Sequence, residues 1–259
     1  MNPYLPIRKV PLDYNGISSS AFSVQMDKGG DGWKEAGVVG QNYMLLSNEE
    51  VKQAATQVSE ECNIEFVHDR TFFNGRQYIY SMKSPDVVGT IKKDDDIALG
   101  MQFWNSYDGS KSFGYSLMLF RLVCTNGMMS KDYFNTYRFK HEPTSENWDE
   151  NLQQVVTNLN SMSNGSYKIE EFISSLRQLS NLDVTMDELG NIRHNHLQDI
   201  PVGLWGQIVD RFTKTNKEDY SGWNLLNAST DILWHKENPT VASYNQNQLI
   251  VDGLCKAVA

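Results

Sequence analysis

Cys124 is a candidate nucleophile, and it lies in the stretch SFGYSLMLFRLVCTNGMM, residues 112–129. A reactive cysteine needs a neighbouring histidine or another cationic group that stabilises its thiolate. Cys124 instead follows large apolar residues that alternate along a predicted strand, and an unpaired cysteine in that setting is usually a small buried residue. We therefore predict that its thiol is buried, free and unreactive, with a nucleophile and a metal ligand as the alternatives.

Two further groups of residues could bind a metal ion. His194 and His196 would offer two ligands from one strand face, but no cysteine or carboxylate stands at the spacing that completes a zinc site. The acidic run 94–96 lacks the glycine and the terminal glutamate of a calcium loop. The sequence also has no glycine-rich phosphate loop and no Gly-x-Ser-x-Gly elbow. We therefore predict no metal, no cofactor and no enzymatic activity.

A third group of residues combines aromatic rings with cations in the predicted hairpins. Single-stranded nucleic acids stack their bases on aromatic side chains, while Lys and Arg contact the phosphates. The alternative is a sheet core, because aromatic residues are common in β-strands. The nucleic-acid hypothesis assigns phosphate contacts to Arg70, Arg76, Lys111, Arg121, Lys131 and Arg138, and base stacking to Tyr78, Trp104 and Tyr107.

The distribution of charge limits the nucleic-acid hypothesis. A formal net charge of −9 argues against a protein that coats nucleic acid over its whole surface. Residues 62–141 contain ten basic and eight acidic residues, whereas the rest of the chain contains 13 basic and 24 acidic residues. This distribution could place a modest positive groove on an acidic body. The alternative is a solvated surface of uneven charge.

The sequence carries no sign of export or of membrane insertion. No apolar run approaches the roughly 18 residues of a membrane helix, and the first ten residues lack the apolar stretch of a signal peptide. The three cysteines cannot all pair within one chain, and none belongs to a Cys-x-x-Cys motif. We expect a cytoplasmic protein that makes no contact with a membrane.

The residues from 47 to 124 predict a helix followed by two hairpins. Ser47 and Glu50 have the spacing of a capping box, which predicts a helix over residues 47–61. Asn74-Gly75 and Asp108-Gly109 each separate two apolar stretches and predict hairpin turns. Alternation of apolar residues in these stretches predicts antiparallel strands with at least one buried face.

The C-terminal half of the chain has helical periodicity instead. The predicted helices cover residues 145–162, 168–179, 202–215 and 222–236, and the last segment predicts a short helix or strand. Residues 1–40 are rich in Gly and Ser and predict an irregular lead-in. The sequence thus predicts an α+β fold with one domain over residues 41–259. Its antiparallel sheet is expected at about 64–124, within a sheet core of about 64–141, and its helical part at about 145–259.

Three stretches of the sequence resemble one family of prokaryotic proteins. They are NSYDGS with GYSLMLFRLVCTNGM (105–128), WNLLNASTDILWH (223–235) and the hairpin TFFNGRQYIYSMKSP (71–85). They resemble a phage- and plasmid-borne family that is catalogued as domain of unknown function number 932, over about residues 40–250. The family has no established reaction. Its members typically come from phages, plasmids and integrated elements, often near replication and recombination genes.

The resemblance implies that the shared motifs define the fold. The run Arg-x-Val-Cys-x-Asn-Gly predicts a strand end and a turn, in which Gly127 can take a positive φ and Asn126 tolerates the αL region. In the second block we expect the Asn227 amide to bond backbone groups of a neighbouring strand or turn. A structural role is assigned to Asn105, Asp108, Gly109, Cys124, Asn126, Gly127, Asn227 and Thr230.

The order of the elements is also similar to that of single-strand annealing proteins of the Rad fifty-two type. Those proteins bind single-stranded DNA along a basic groove beside a curved sheet, and they usually form rings. This chain differs from them because it is acidic and has no obvious basic tail. The first hypothesis is a phage or mobile-element protein that binds or anneals single-stranded DNA in recombination or replication, as a homo-oligomer. The second is an acidic, non-catalytic protein that regulates a host or phage protein. Either would act in the cytoplasm of an infected or plasmid-bearing prokaryotic cell.

Overall fold

The fold is α+β, as predicted, with antiparallel sheets and a series of C-terminal helices. No helix in the described part of the chain is long and apolar enough to span a membrane. The computed structural model describes residues 1–62, 64–123, 126–134, 136–139, 141, 150, 153, 155–157, 160, 167–215, 219–235 and 241–259.

The first three strands form a separate antiparallel sheet in the order β1-β2-β3. Their bounds are β1 (Ile7–Tyr14), β2 (Ile17–Asp27) and β3 (Trp33–Gly40), with a 3-10 turn at Gly29–Asp31. The prediction of an irregular lead-in over residues 1–40 was therefore wrong. The signal for this sheet is Asn15-Gly16, because both residues have a positive φ (51° and 78°) and so match a tight hairpin turn.

Helix α1 (Asn48–Glu61) begins at the predicted capping box. The Ser47 side chain accepts a hydrogen bond from the Glu50 backbone N–H at 3.1 Å, and the Glu50 carboxylate accepts one from the Ser47 N–H at 2.7 Å. Both orphan donors at the start of the helix are thus satisfied locally, which is why the sequence predicted this boundary correctly.

The second sheet has six strands in the order β4-β5-β6-β7-β8, and β9 also pairs with β7. The two predicted hairpins are confirmed as β4–β5 and β6–β7, with positive φ values at Gly75 (93°) and Gly109 (70°). The strands β8 and β9 pair with different parts of β7, opposite residues 119–121 and 113–116. The bounds are β4 (Val67–Phe73), β5 (Gln77–Lys92), β6 (Asp95–Ser106), β7 (Phe113–Arg121), β8 (Asn126–Met128) and β9 (Thr136–Phe139).

Five helices have their bounds within the described residues after the second sheet, and the predicted helices at 168–179, 202–215 and 222–236 are confirmed. The predicted helix at 145–162 lies mostly outside the described residues. Within that range, the described residues 155–157 are helical. The last segment is also helical. The bounds are α2 (Tyr167–Asn181), α3 (Met186–Asn195), α4 (Val202–Thr215), α5 (Gly222–Trp234) and α6 (Val241–Lys256).

The chain packs as two compact units. The boundary between them crosses the predicted sheet core, because β5, β6 and β7 each contribute residues to both units. The first unit comprises Met1–Met82, Met101–Ser116 and Thr136–Asn164, and the second Lys83–Gly100, Leu117–Asn135 and Gly165–Ala259.

The core of the first unit joins the N-terminal sheet to the β6–β7 turn. Tyr107 is buried with Val24, Met26, Ala36 and Val39, which come from β2 and β3. Its hydroxyl accepts a hydrogen bond from the Asn48 N–H at 3.0 Å, at the start of α1. Residues 1–40 are therefore an integral part of this unit.

Candidate functional site

Arg121 is paired inside the second unit, so its assignment to phosphate contact is corrected. Its guanidinium group donates two hydrogen bonds to Asp95 at 2.6 and 2.8 Å, and only 18% of its side chain is exposed. The indole N–H of Trp223 donates to the same carboxylate at 2.8 Å. A guanidinium that is held in this way by an internal carboxylate has a structural role.

The three predicted stacking residues are buried, and their assignment to base stacking is also corrected. The exposed fractions are 0% for Tyr78, 8% for Trp104 and 1% for Tyr107. Burial raises the pKa of both tyrosines. A Cβ atom at Gly114 would lie 2.4 Å from the Trp104 ring, so that ring is packed directly on the neighbouring strand. The three rings belong to the protein core, which was the alternative considered for them.

The other basic candidates are divided between the two units. Arg70 lies 3.1 Å from the Asp69 carboxylate with 25% of its side chain exposed. Lys131 is exposed in the second unit, whereas Arg76 and Arg138 are exposed and Lys111 is partly exposed in the first. Of the basic candidates, Arg76 lines a pocket in the first unit.

Arg76 lines a pocket of about 150 Å³ in the first unit together with Lys28 and Lys34. We call it the cationic pocket, and define it by these three residues. Buried Met26 and Ala36 also line it. Lys28 and Lys34 belong to the N-terminal segment that the sequence did not predict as a sheet, so both were missed as candidates. The signal that could have found the sheet is the Asn15-Gly16 turn between β1 and β2, while the glycine-rich segment 29–32 joins β2 to β3 and places Lys28 and Lys34 on either side of it.

Backbone hydrogen bonds determine the positions of Lys34 and Arg76 in the fold. Met26 pairs with Lys34 across β2 and β3, and since paired residues share a sheet face, Lys34 lies on the face that carries buried Met26. Arg76 follows the Asn74-Gly75 turn, where the Asn74 side chain accepts hydrogen bonds from the N–H groups of Arg76 and Gln77 at 2.9 and 2.8 Å. The Arg76 carbonyl in turn accepts the Tyr107 N–H at 2.8 Å.

The cationic pocket has an excess of positive charge. Three cations line the pocket, whereas the acidic residue in the lining, Glu35, pairs with Gln25 and therefore points to the face opposite Lys34. The Glu35 carboxylate accepts a hydrogen bond from the Ser23 hydroxyl at 3.1 Å. In the part of the chain that the structure describes, no ion pair joins the three cations to a carboxylate. Cations held together without carboxylate partners create a local field that attracts anions.

An exposed aromatic residue stands next to the cationic pocket along the chain. Trp33 directly precedes Lys34 on the edge strand β3, so its side chain points to the opposite face of the sheet, and 37% of it is exposed. The Arg8 guanidinium lies 4.0 Å from the centre of the Trp33 ring and donates a hydrogen bond to Gln25 at 2.9 Å. An exposed indole beside cations is a group on which a base can stack. The sequence analysis missed Trp33 because it treated the surrounding DKGGDGW stretch as irregular.

Two of the stretches that resemble the family, 105–128 and 223–235, contact each other in the second unit; we call them the two motif blocks. The Asn126 side chain accepts a hydrogen bond from the His235 ring at 2.8 Å, and a Cβ at Gly127 would lie 2.6 Å from the Trp234 ring. Neither Asn126 nor Gly127 has a positive φ, because both lie in the short strand β8. The predicted turn conformation was therefore wrong for these two residues. Gly127 is instead required by the close approach of Trp234. Cys124 lies outside the described residues.

The Asn227 amide bonds its own helix, which corrects the predicted contact with a neighbouring strand or turn. Its Nδ2 donates to the Trp223 carbonyl at 2.9 Å, while its buried Oδ1 has no hydrogen-bond partner. The hydroxyl of Thr230 likewise donates to the Leu226 carbonyl at 3.1 Å. Both side chains are buried within α5.

The motif residues of the β6–β7 hairpin make local structural bonds in the first unit. The Asn105 amide donates to the Leu46 carbonyl at 2.8 Å, which holds the segment before α1 against β6. The Asp108 carboxylate accepts the Ser110 N–H at 3.0 Å, and Gly109 supplies the positive φ of the turn.

Metal-ligating residues form no cluster in the described part of the chain. His194 lies near the end of α3 and His196 caps it, so they are not on a strand. Among the described residues, no group of three or more His, Cys, Asp or Glu side chains is arranged to hold a metal ion. Cys62 and Cys255 are free and buried, and burial raises the pKa of the Cys255 thiol to about 12.

The sequence profile of the family described as Domain of unknown function (DUF932) matches residues 35–251, and the chain belongs to this family. No curated protein and no solved structure matches the chain. The matched region includes Arg76 and both motif blocks, whereas Lys28 and Lys34 precede it. The similarity in element order to annealing proteins stays a hypothesis.

Proposed function

We propose that the protein binds single-stranded DNA through its first unit, with the cationic pocket contacting phosphate and Trp33 stacking a base. The observation that carries the proposal is the excess of positive charge in this pocket on a chain whose net charge is −9. Cations that lack carboxylate partners are stabilised by an added anion, and nucleic acids present phosphates at regular spacing. Single strands also expose the faces of their bases, which a duplex covers.

The proposal places this binding in the recombination or replication of a phage or another mobile element, inside the host prokaryotic cell. Membership of the family supports this setting through the origins expected for its members. Annealing of two strands and assembly into a homo-oligomer belong to the same proposal. They would make binding cooperative in protein concentration.

The proposal predicts modest and strongly salt-dependent binding. The logarithm of affinity for a single strand falls with the logarithm of salt concentration by about 0.7 for each phosphate contact, so three contacts give a slope of roughly −2. The acidic surface outside the pocket repels the rest of the strand, which keeps the affinity modest. Fluorescence anisotropy of a labelled oligonucleotide across a salt series measures both quantities.

Two single substitutions test whether the pocket is responsible. Lys34→Gln and Arg76→Gln each remove one positive charge from an exposed side chain and should make the salt slope shallower by about 0.7. Lys168→Gln removes an exposed charge from α2 in the second unit and serves as the matched control. A folded sample that binds no oligonucleotide at low salt would refute the proposal. Unchanged slopes in both pocket variants would refute the assigned site.

A second function is favoured by the overall charge. The net charge of −9 suits an acidic protein that regulates a host or phage protein with a basic surface. It predicts salt-dependent binding to a basic protein partner and no binding to oligonucleotides. The anisotropy experiment therefore separates the two functions.

A further inference from the structure

We infer that the cationic pocket binds the terminal phosphate monoester of a nucleic acid strand, rather than the phosphodiesters within it. This inference rests on the proposed function, because it names the group of the strand that this site takes. It follows from the shape, the charge and the donor geometry of the pocket.

The shape of the pocket suits the end of a strand. Its volume of about 150 Å³ has buried Met26 and Ala36 in its lining, and the Asn74-Gly75 turn contributes to the same lining. A phosphodiester is followed by further nucleotides on both sides, so it needs a groove through which the strand can continue. A terminal phosphate is bonded to only one nucleotide, so it can enter a small pocket while the rest of the strand stays outside.

The charge of the pocket matches a monoester. Lys28, Lys34 and Arg76 supply three positive charges, and Glu35 points to the opposite face of the sheet. A phosphate monoester carries about −1.5 to −2 at pH 7, because its second pKa is near 6. It therefore compensates more of this charge than an internal phosphodiester, which carries one negative charge.

The donors of the pocket also match the oxygens of a monoester. The planar guanidinium group can bind two phosphate oxygens with parallel hydrogen bonds, whereas lysine acts as a compact point charge. A monoester has three terminal oxygens, and a phosphodiester has two. Arg76 can therefore take two oxygens while Lys28 and Lys34 neutralise the third. The Asn74 side chain and the Tyr107 N–H fix the Arg76 backbone before the ligand arrives, so that only side chains must be ordered on binding.

The test compares three forms of one internally labelled oligothymidine of about 12 nucleotides, which falls within single-strand site sizes. One form has a 5′-phosphate, one a 3′-phosphate, and one hydroxyl groups at both ends. We expect the full chain to bind one of the phosphorylated forms about tenfold more tightly than the hydroxyl form. The two phosphorylated forms show which end of the strand is recognised.

Variants and pH connect this preference to the pocket. Lys34→Gln and Arg76→Gln should abolish the preference, and Lys168→Gln should retain it. The preference should also decrease as the pH falls below about 6, where the monoester loses its second charge. Inorganic phosphate should compete with the phosphorylated form and leave binding of the hydroxyl form almost unchanged.

The outcomes separate this inference from the proposed function. If all three forms bind equally and the pocket variants weaken all of them, the protein binds single strands but recognises no end, and the inference is overturned. A preference that survives in both pocket variants also overturns it, because another site then recognises the phosphate. If no form binds to folded protein, the proposed function fails and the inference fails with it.

Discussion

The guanidinium group of Arg121 bonds both carboxylate oxygens of Asp95, from Nε to Oδ1 at 2.6 Å and from Nη2 to Oδ2 at 2.8 Å. Asp95 begins β6, Arg121 ends β7, and Trp223 at the start of α5 donates to the same carboxylate. One buried carboxylate thus connects three elements of the second unit. This arrangement gives a physical reason for the arginine in the Arg-x-Val-Cys-x-Asn-Gly run.

Replacing Arg121 should therefore affect folding rather than binding. Arg121→Gln leaves the Asp95 carboxylate buried without its counter-charge, and we expect the free energy of unfolding to fall by about 3 kcal/mol. Urea denaturation measures this change. Arg138→Gln removes an exposed arginine of β9 and should change stability by less than about 0.5 kcal/mol. A folded Arg121→Gln protein with unchanged stability and weakened oligonucleotide binding would restore the assignment to phosphate contact.

The Gly127–Trp234 contact predicts a steric effect of a single methyl group. The added Cβ of Gly127→Ala would lie 2.6 Å from two atoms of the Trp234 ring, which is itself packed edge-on against Phe120. Since the ring has little room to move, we expect a loss of about 1–3 kcal/mol in thermal or urea unfolding. Gly206→Ala is the control: it adds a methyl group on exposed α4 with no atom within 4 Å, and should stabilise the helix by about 0.5–1 kcal/mol. Equal effects of the two variants would contradict the packing argument.

The fold could be predicted from sequence where local chemistry decides it. The Ser47–Glu50 capping box and the turns at Asn74-Gly75 and Asp108-Gly109 act over two to four residues, and each was predicted correctly. Asn15-Gly16 has the same form, but the surrounding Gly and Ser residues favoured an irregular segment. For that reason the N-terminal sheet was not predicted.

The candidate site could not be predicted where distant contacts decide it. The bond between Asn126 and His235 spans 109 residues, and no periodicity indicates it. Alternation suggests a strand with one exposed face, but consecutive residues on both faces are buried at Tyr78–Met82 of β5 and Ile97–Ser106 of β6, so Tyr78 and Trp104 were wrongly assigned to solvent. The cationic pocket likewise joins residues of β3 and the β4–β5 turn through tertiary structure.

Two buried asparagines should differ strongly in the stability they lose on replacement by leucine. Asn247 of α6 donates to the Gly127 carbonyl at 3.0 Å and accepts the Met129 N–H at 3.0 Å, so Asn247→Leu leaves two buried backbone groups unpaired. We expect it to cost about 2–4 kcal/mol. Asn227→Leu removes an unsatisfied buried acceptor and a bond within its own helix, and should change stability by less than about 1 kcal/mol. Urea titrations of both variants measure the difference. A large loss in Asn227→Leu alone would contradict this account.

The buried ring of His141 predicts a pH dependence of stability. Its Nδ1–H donates to the Met44 carbonyl at 3.0 Å, its Nε2 is buried without a partner, and the ring stacks on Tyr43 at 4.4 Å. Burial lowers the pKa of His141 and raises that of Tyr43 to about 12, so the tyrosine stays neutral over this range. The unfolded state therefore takes up a proton near pH 6.5 that the folded state does not accept.

It follows that the contribution of His141 to stability is fully present above about pH 6.5 and is lost as the pH falls towards its folded pKa. Urea midpoints at about pH 7.5 and about pH 5.5 should differ more in the wild type than in His141→Phe, which keeps a ring against Tyr43. The variant itself should be less stable at the higher pH, because the Met44 carbonyl loses its donor. Equal pH dependence in both proteins would show that His141 is not the titrating group.

Trp33 and Trp104 allow the core and the proposed binding surface to be tested with the same substitution. Trp104 is 8% exposed and packs on Gly114, so Trp104→Ala should lower the free energy of unfolding by about 3–5 kcal/mol. The fraction that remains folded should bind an oligonucleotide as the wild type does. Trp33 is 37% exposed on β3, and Trp33→Ala should lower stability by only about 0.5–1 kcal/mol through the loss of the Arg8 contact.

For binding affinity we expect the reverse: Trp33→Ala should lose more affinity than Trp104→Ala. If Trp33 stacks a base, Trp33→Ala should weaken binding of a single strand by about 1–3 kcal/mol in anisotropy titrations. Trp33→Phe should retain part of that affinity, because it keeps an aromatic face beside Arg8. Binding by Trp33→Ala at wild-type strength would remove this residue from the site and leave the phosphate contacts of the cationic pocket to account for affinity. If folded Trp104→Ala loses binding and Trp33→Ala does not, the base-stacking residue is Trp104 of the second sheet and not Trp33.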